Sequence, residues 1–157
     1  MKTFIVSLMA VLLLWGGDEN ASVSLFTNAI DPVYGIPVDK YPRFSTYLIL
    51  KSGKKVRFCC VKAMMNFYFH PEKYPSFHVS SRNEIDKMYV KDYLDGNTIE
   101  AQKAWYVFGS RLMSPHGDDL IPLGSKTRAE LFVKKYGGSR IMTINKFSFG
   151  LIRYLDM

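Results

Sequence analysis

Hydrophobic positions crowd together from Phe44 to Leu50, break at Ser52-Gly53, and alternate with polar ones from Lys54 to Phe58, a pattern that predicts a β-hairpin. Cys59 to Phe69 carries Cys60, Met64, Phe67 and Tyr68 at roughly helical spacing. Pro71 stops that helix by disfavouring a helical conformation at His70. After a loop containing Pro75, Ile85 to Tyr93 reads as a third strand, with Ile85, Met88 and Val90 among its apolar members. The same order then returns. Strands are predicted over Ala104 to Phe108 and Asp119 to Leu123, a helix capped by Ser125 runs to Tyr136, and a strand follows from Arg140 to Ile144. Gly137-Gly138 ends that helix, and Phe147 to Leu155 closes the chain as a short amphipathic helix.

This pattern predicts an α+β protein of two β-β-α-β repeats, because the hairpins precede the helices instead of alternating with them. The first repeat spans residues 44–95 and the second, with its closing helix, residues 96–157, the boundary falling near Asp95-Gly96-Asn97. Neither half holds enough apolar residues for a core of its own, so the two are expected to share one. Ahead of them, residues 18–43 read as an irregular lead-in, rich in turn formers such as Pro32, Gly35, Pro37 and Pro42.

The amino end changes the picture of where the protein works. Met1-Lys2 precedes a run from Thr3 to Trp15 that is apolar except at Thr3 and Ser7. A membrane span needs about 20 apolar residues, so this run fits the core of an export signal better. Residues 1–17 are therefore expected to be an export signal or a membrane tether, and the folded part to lie outside the cytoplasm. The net charge of +7 admits nucleic acid as a partner, but the basic residues do not cluster, and no nucleic-acid binding is expected.

Candidate chemistry is sparse. The two cysteines are adjacent, Cys59 and Cys60, which excludes a disulfide framework and a four-cysteine zinc site. At a helix start their thiols feel the positive end of the dipole, which favours thiolate. With Met64 one turn on, they form either a soft-metal grouping or ordinary core. Met113 and His116 lie three apart in the connection Gly109 to Asp119, where a thioether and an imidazole could ligate a soft metal and Asp118-Asp119 could orient the imidazole. His70 and His78 read as surface residues. No phosphate loop, nucleophile elbow, zinc-protease motif or dinucleotide fingerprint is present, so a binding protein is expected rather than an enzyme.

Several stretches in consistent order carry a family resemblance. They include Pro32 to Pro42, Phe58-Cys59 with Lys62-Ala63-Met64, Tyr89 to Tyr93, Ala104 to Ser110, Pro115 to Pro122 and Gly137-Gly138. Together they resemble the NosL family, nitrous oxide reductase accessory proteins. The resemblance implies a fold of two β-β-α-β repeats shared with the organomercurial lyase domain, and a periplasmic, usually lipid-anchored Cu(I) metallochaperone. Such a protein exchanges copper with a membrane transporter complex and supplies nitrous oxide reductase. Where the family carries Cys-Pro-x-Cys-Gly-Met this chain has Asp31-Pro32-Val33-Tyr34-Gly35-Ile36, and where it carries Gly-Pro-Met-Gly this chain has Ser114-Pro115-His116-Gly117. Gly17 stands where the lipid-accepting Cys would be. Copper is therefore expected to draw on Met113, His116 and one or both of Cys59 and Cys60. The alternative is a degenerate relative kept as a protein-interaction module without copper.

Overall fold

The computed structural model describes residues 29–157, and the segment 1–17 lies outside them. Strands β1 (Thr46–Leu50) and β2 (Lys55–Phe58) pair antiparallel as the first hairpin. Thr46, Leu48 and Leu50 point inward while Tyr47 and Ile49 are half-buried, so the period of two selects the face. Helix α1 (Val61–Phe69) follows, then β3 (Ile85–Lys91), which lies on the other side of β1. Tyr47 and Tyr89 stack across that pair with centroids 4.8 Å apart.

The second repeat has the same topology. Strand β5 (Trp105–Phe108) is central, flanked by β6 (Ile121–Leu123) and, beyond helix α2 (Lys126–Tyr136), by β7 (Arg140–Thr143). The Ser125 hydroxyl accepts from the Arg128 amide at the start of α2, and Gly137, at a positive φ of 75°, ends it. Helix α3 (Phe149–Leu155) closes the chain against α1. No helix among the described residues is long and apolar enough to cross a membrane.

Two differences from the sequence pattern matter. Helix α1 begins at Val61, because Cys60 is extended (φ −164°, ψ 171°) and serves as its N-cap without a side-chain cap bond. A strand β4 (Thr98–Glu100), too short for periodicity to reveal, adds to the outer edge of β3. Asp95-Gly96-Asn97 is thus a tight turn, closed by the Gly96 amide on the Asp92 carbonyl at 2.7 Å. The sheets run β2-β1-β3-β4 and β6-β5-β7.

The larger core draws on both repeats, with Leu48, Phe58, Met64 and Met88 packed with Tyr106, Leu120 and Ile152. A smaller core lies between the second sheet and α2, around Val107, Ile121, Leu123, Ala129 and Phe132. Asp92 fastens the two. Its buried carboxylate accepts from the Leu94 and Gly124 amides and from Arg128 Nε at 2.6 Å, which ties the exit of β3 to the first turn of α2. Burial pushes the Asp92 pKa up, but Arg128 and the two amides outweigh it and hold it below its ordinary value.

Candidate functional site

Three segments distant in sequence converge beside the start of α1. The first is the lead-in turn. Asp31 is buried, and its Oδ1 accepts from the Val33 and Tyr34 amides at 2.7 and 2.9 Å. Its Oδ2 accepts from the Cys59 amide at 2.7 Å. Such an Asx turn suits Asp before Pro, since the side chain replaces a backbone acceptor and proline removes a competing donor. Asp31 therefore spends both carboxylate oxygens on three backbone amides.

The second segment is the loop between β5 and β6. Ser114 and Gly117 pair through two backbone hydrogen bonds, and the Ser114 hydroxyl accepts from the His116 amide at 3.3 Å. Met113, just before this turn, is 58% exposed. The His116 imidazole is 43% exposed and lies against Tyr34, ring centroids 3.7 Å apart and planes within 8°. Its Nδ1 is 4.0 Å from Asp156 Oδ1. The carboxylate facing His116 is thus Asp156, not the neighbouring Asp118-Asp119 pair. Asp119 turns inward, where its Oδ1 accepts from the amides of Lys62 (2.9 Å) and Leu120 (2.7 Å).

Lys62 joins the third segment to the other two. Its side chain is 1% exposed, and Nζ donates to the carbonyls of His116 (2.7 Å) and Leu155 (2.8 Å) and lies 3.3 Å from Asp156 Oδ1. A buried ammonium needs such partners, because desolvation without them costs several kcal/mol, on the order of its full ion-pair gain. Asp156 in turn accepts from the Tyr34 hydroxyl (2.6 Å) and Asn66 Nδ2 (3.0 Å). Burial pushes its pKa up, yet hydrogen bonds from Tyr34, Asn66 and Lys62 hold it below the ordinary carboxylate value. The Tyr34 hydroxyl is pushed upward by burial and by Asp156.

The thiols lie deeper. Cys59 and Cys60 are wholly buried and unbridged, with Sγ atoms 3.8 Å apart. Burial, the Cys59 contact and the Asp119 charge push the Cys60 thiol well above its ordinary pKa, so the helix-start preference for thiolate is overridden at Cys60. Asp119 answers in kind: burial raises it to about 6 against the pull of the Leu120 and Lys62 amides, and its Oδ2 has no hydrogen-bond partner. Among the described residues no three His, Cys, Asp or Glu side chains converge as a metal cluster. The arrangement therefore offers an exposed thioether and a part-exposed imidazole near the surface, with two soft donors buried more deeply.

Residue types alone single out Met113, His116, Cys59 and Cys60, and they miss Lys62, Asn66 and Asp156. Lys62 has one legible signal, as the only charged residue in the apolar run from Phe58 to Met65. His70 is part-exposed, hydrogen-bonds Glu72 and packs edge-on against Phe149, while His78 ends a short helical turn in the left-handed conformation.

The NosL family model matches residues 22–148. The fold is similar to the crystal structure of the copper chaperone NosL from Shewanella denitrificans, at 22% identity and a TM-score of 0.65, over 77% of this chain and 90% of that one. The solution NMR structure of apo-NosL from Achromobacter cycloclastes is similar at 23% identity and a TM-score of 0.48, over 68% of this chain and 87% of that one. No curated protein matches the sequence.

Proposed function

The chain belongs to the NosL family, and from that premise we propose that it is a metallochaperone that carries Cu(I) as cargo in the periplasm. In this reading residues 1–17 export or tether it, a copper transporter complex is its exchange partner, and nitrous oxide reductase is the protein whose assembly it serves. Copper meets the chain at Met113 and His116. Thioether and imidazole suit Cu(I), and a site with so few ligands leaves room for an incoming ligand from the acceptor, so cargo moves by ligand exchange rather than by a catalysed reaction. The observation that carries the reading is the stacking of Tyr34 on His116, which joins two of the segments bearing the family resemblance at one surface.

The test is titration of the reduced protein with Cu(I) against a chromophoric chelator. The wild type should withdraw copper, and a Met113→Ala, His116→Ala double variant should do so at least about tenfold more weakly. Equal competition by the two proteins would overturn the assignment. One observation favours the alternative of an interaction module: Asp31 closes the lead-in turn entirely with hydrogen bonds. That reading prevails if the protein withdraws no copper yet still associates with the transporter or the reductase.

A further inference from the structure

The internal repeat makes β3 and β7 equivalent strands, each lying beside the central strand of its sheet and opposite the hairpin partner. The outer edge of β3 is completed by β4, with Tyr89 opposite Glu100, Val90 opposite Ile99 and Lys91 opposite Thr98. Strand β7 is the last of its sheet, and no strand among the described residues covers its outer edge. A groove of about 550 Å³ adjoins β7, lined by Trp105 of β5 and by Arg140, Ile141, Met142, Thr143 and Lys146. Trp105 and Ile141 are half-buried and pack against the smaller core, so they give the groove an apolar wall.

We propose that this edge is a docking site for an extended acidic segment of a partner protein, which adds to the second sheet beside β7 as β4 adds beside β3. An exposed edge presents unpaired amide and carbonyl groups to any extended chain, and side-chain pockets along it set specificity. Here the specificity is electrostatic. Arg140 begins β7 and Lys146 follows it, and neither forms an ion pair among the described residues. The Arg140 guanidinium rests over the Phe108 ring, 5.8 Å from its centroid. Two cations flanking an apolar wall fit alternating carboxylates and β-branched side chains. The same cations disfavour a second copy of this chain, which would bring Arg140 and Lys146 against their own kind. The net charge of +7 also favours encounter with an acidic partner. The surface shares no residue with the Met113–His116 site and does not depend on copper.

The test is a titration of the ¹⁵N-labelled full chain with the peptide Glu-Val-Glu-Val-Glu-Val-Glu and with its lysine counterpart, read by amide resonances. The expected result is saturable shifts at residues 140–143 with the acidic peptide only, and at least about tenfold weaker binding by an Arg140→Glu, Lys146→Glu variant. Both substitutions lie at the surface, and an unchanged spectrum elsewhere verifies folding. Absence of shifts, equal shifts with both peptides, or undiminished binding by the variant would overturn the proposal. So would concentration-dependent self-association mapped to β7, since that would assign the edge to a second copy.

Discussion

The Tyr34 ring lies flat on the His116 imidazole, and its hydroxyl donates to Asp156 while accepting from Asn66 Nδ2. One side chain thereby joins the lead-in turn, the loop between β5 and β6, helix α1 and the end of α3. Its two functions separate cleanly by substitution. Tyr34→Phe keeps the stack and removes the hydroxyl, which should cost about 1 kcal/mol in a urea titration. Tyr34→Ala removes both and should cost about 2–3 kcal/mol, with the His116 ring resonances sharpening as the ring gains freedom. Equal losses for the two variants would mean that the stack contributes nothing.

Lys62 holds the same junction from beneath. Lys62→Met preserves the apolar stem but leaves the His116 and Leu155 carbonyls without their ammonium and Asp156 without its buried counter-charge. The expected loss is about 3 kcal/mol, on the scale of breaking a buried ion pair. Hydrogen exchange at residues 114–117 and 152–156 should accelerate more than global unfolding explains. Lys62→Arg should not rescue it, because a planar guanidinium cannot direct its donors at the same three oxygens. Stability within error of the wild type would remove Lys62 from this role.

Asp119 predicts a pH dependence of opposite sign to that of the other perturbed carboxylates. Its pKa is raised by burial to about 6 in the folded protein, against an ordinary value of 3.8. Between those values the folded state holds a proton that the unfolded state has released, so this group's contribution to stability falls as pH rises through the window and levels off above about 6. Asp156 and Asp92 are lowered and act the other way, their contributions being lost as pH falls through their folded pKa values. Asp119→Asn keeps an oxygen to accept from the Lys62 and Leu120 amides and removes the buried charge. The stability of Asp119→Asn relative to the wild type should therefore rise between pH 4 and pH 6 and stay constant above. A flat difference across that range would show that Asp119 is ionised throughout.

The repeat is legible in the sequence because each strand or helix carries its own local signal, such as the Ser52-Gly53 turn, the Ser125 cap and the stop at Pro71. Strand β4 is not, since three residues alternate too briefly to be distinguished from a loop, and what makes Thr98–Glu100 a strand is the waiting edge of β3. The site divides in the same way. Met113 and His116 stand out by residue type within a polar loop. Lys62, Asn66 and Asp156 become a network only when α1, the loop and α3 close together, a tertiary relationship that no spacing encodes. Asp119 shows the converse failure, because its proximity in sequence to His116 suggests a partner while the chain turns it inward to the α1 amides.

The Gly137-Gly138 pair ends α2, and the two glycines do so for different reasons. Gly137 is the C-cap at φ 75° and ψ −177°, a combination that glycine adopts without steric penalty. Gly138 sits at φ 152°, and a Cβ there would meet Val107 Cγ1 at 2.5 Å and Val133 Cγ2 at 2.9 Å. Both contacts are with β-branched side chains that have few alternative rotamers, and Val107 is fully buried in the smaller core. The helix end therefore approaches β5 as closely as it does only because position 138 lacks a side chain. Gly138→Ala should cost about 2–3 kcal/mol through overpacking added to backbone strain. Gly35→Ala gives the contrast, because Gly35 is left-handed at φ 70° but nothing lies within 4 Å of its Cβ position. It should lose only about 1 kcal/mol, the strain of the left-handed conformation alone. Equilibrium denaturation of the two variants side by side separates crowding from strain, and a Gly138→Ala loss no larger than that of Gly35→Ala would show that α2 and β5 can part without penalty.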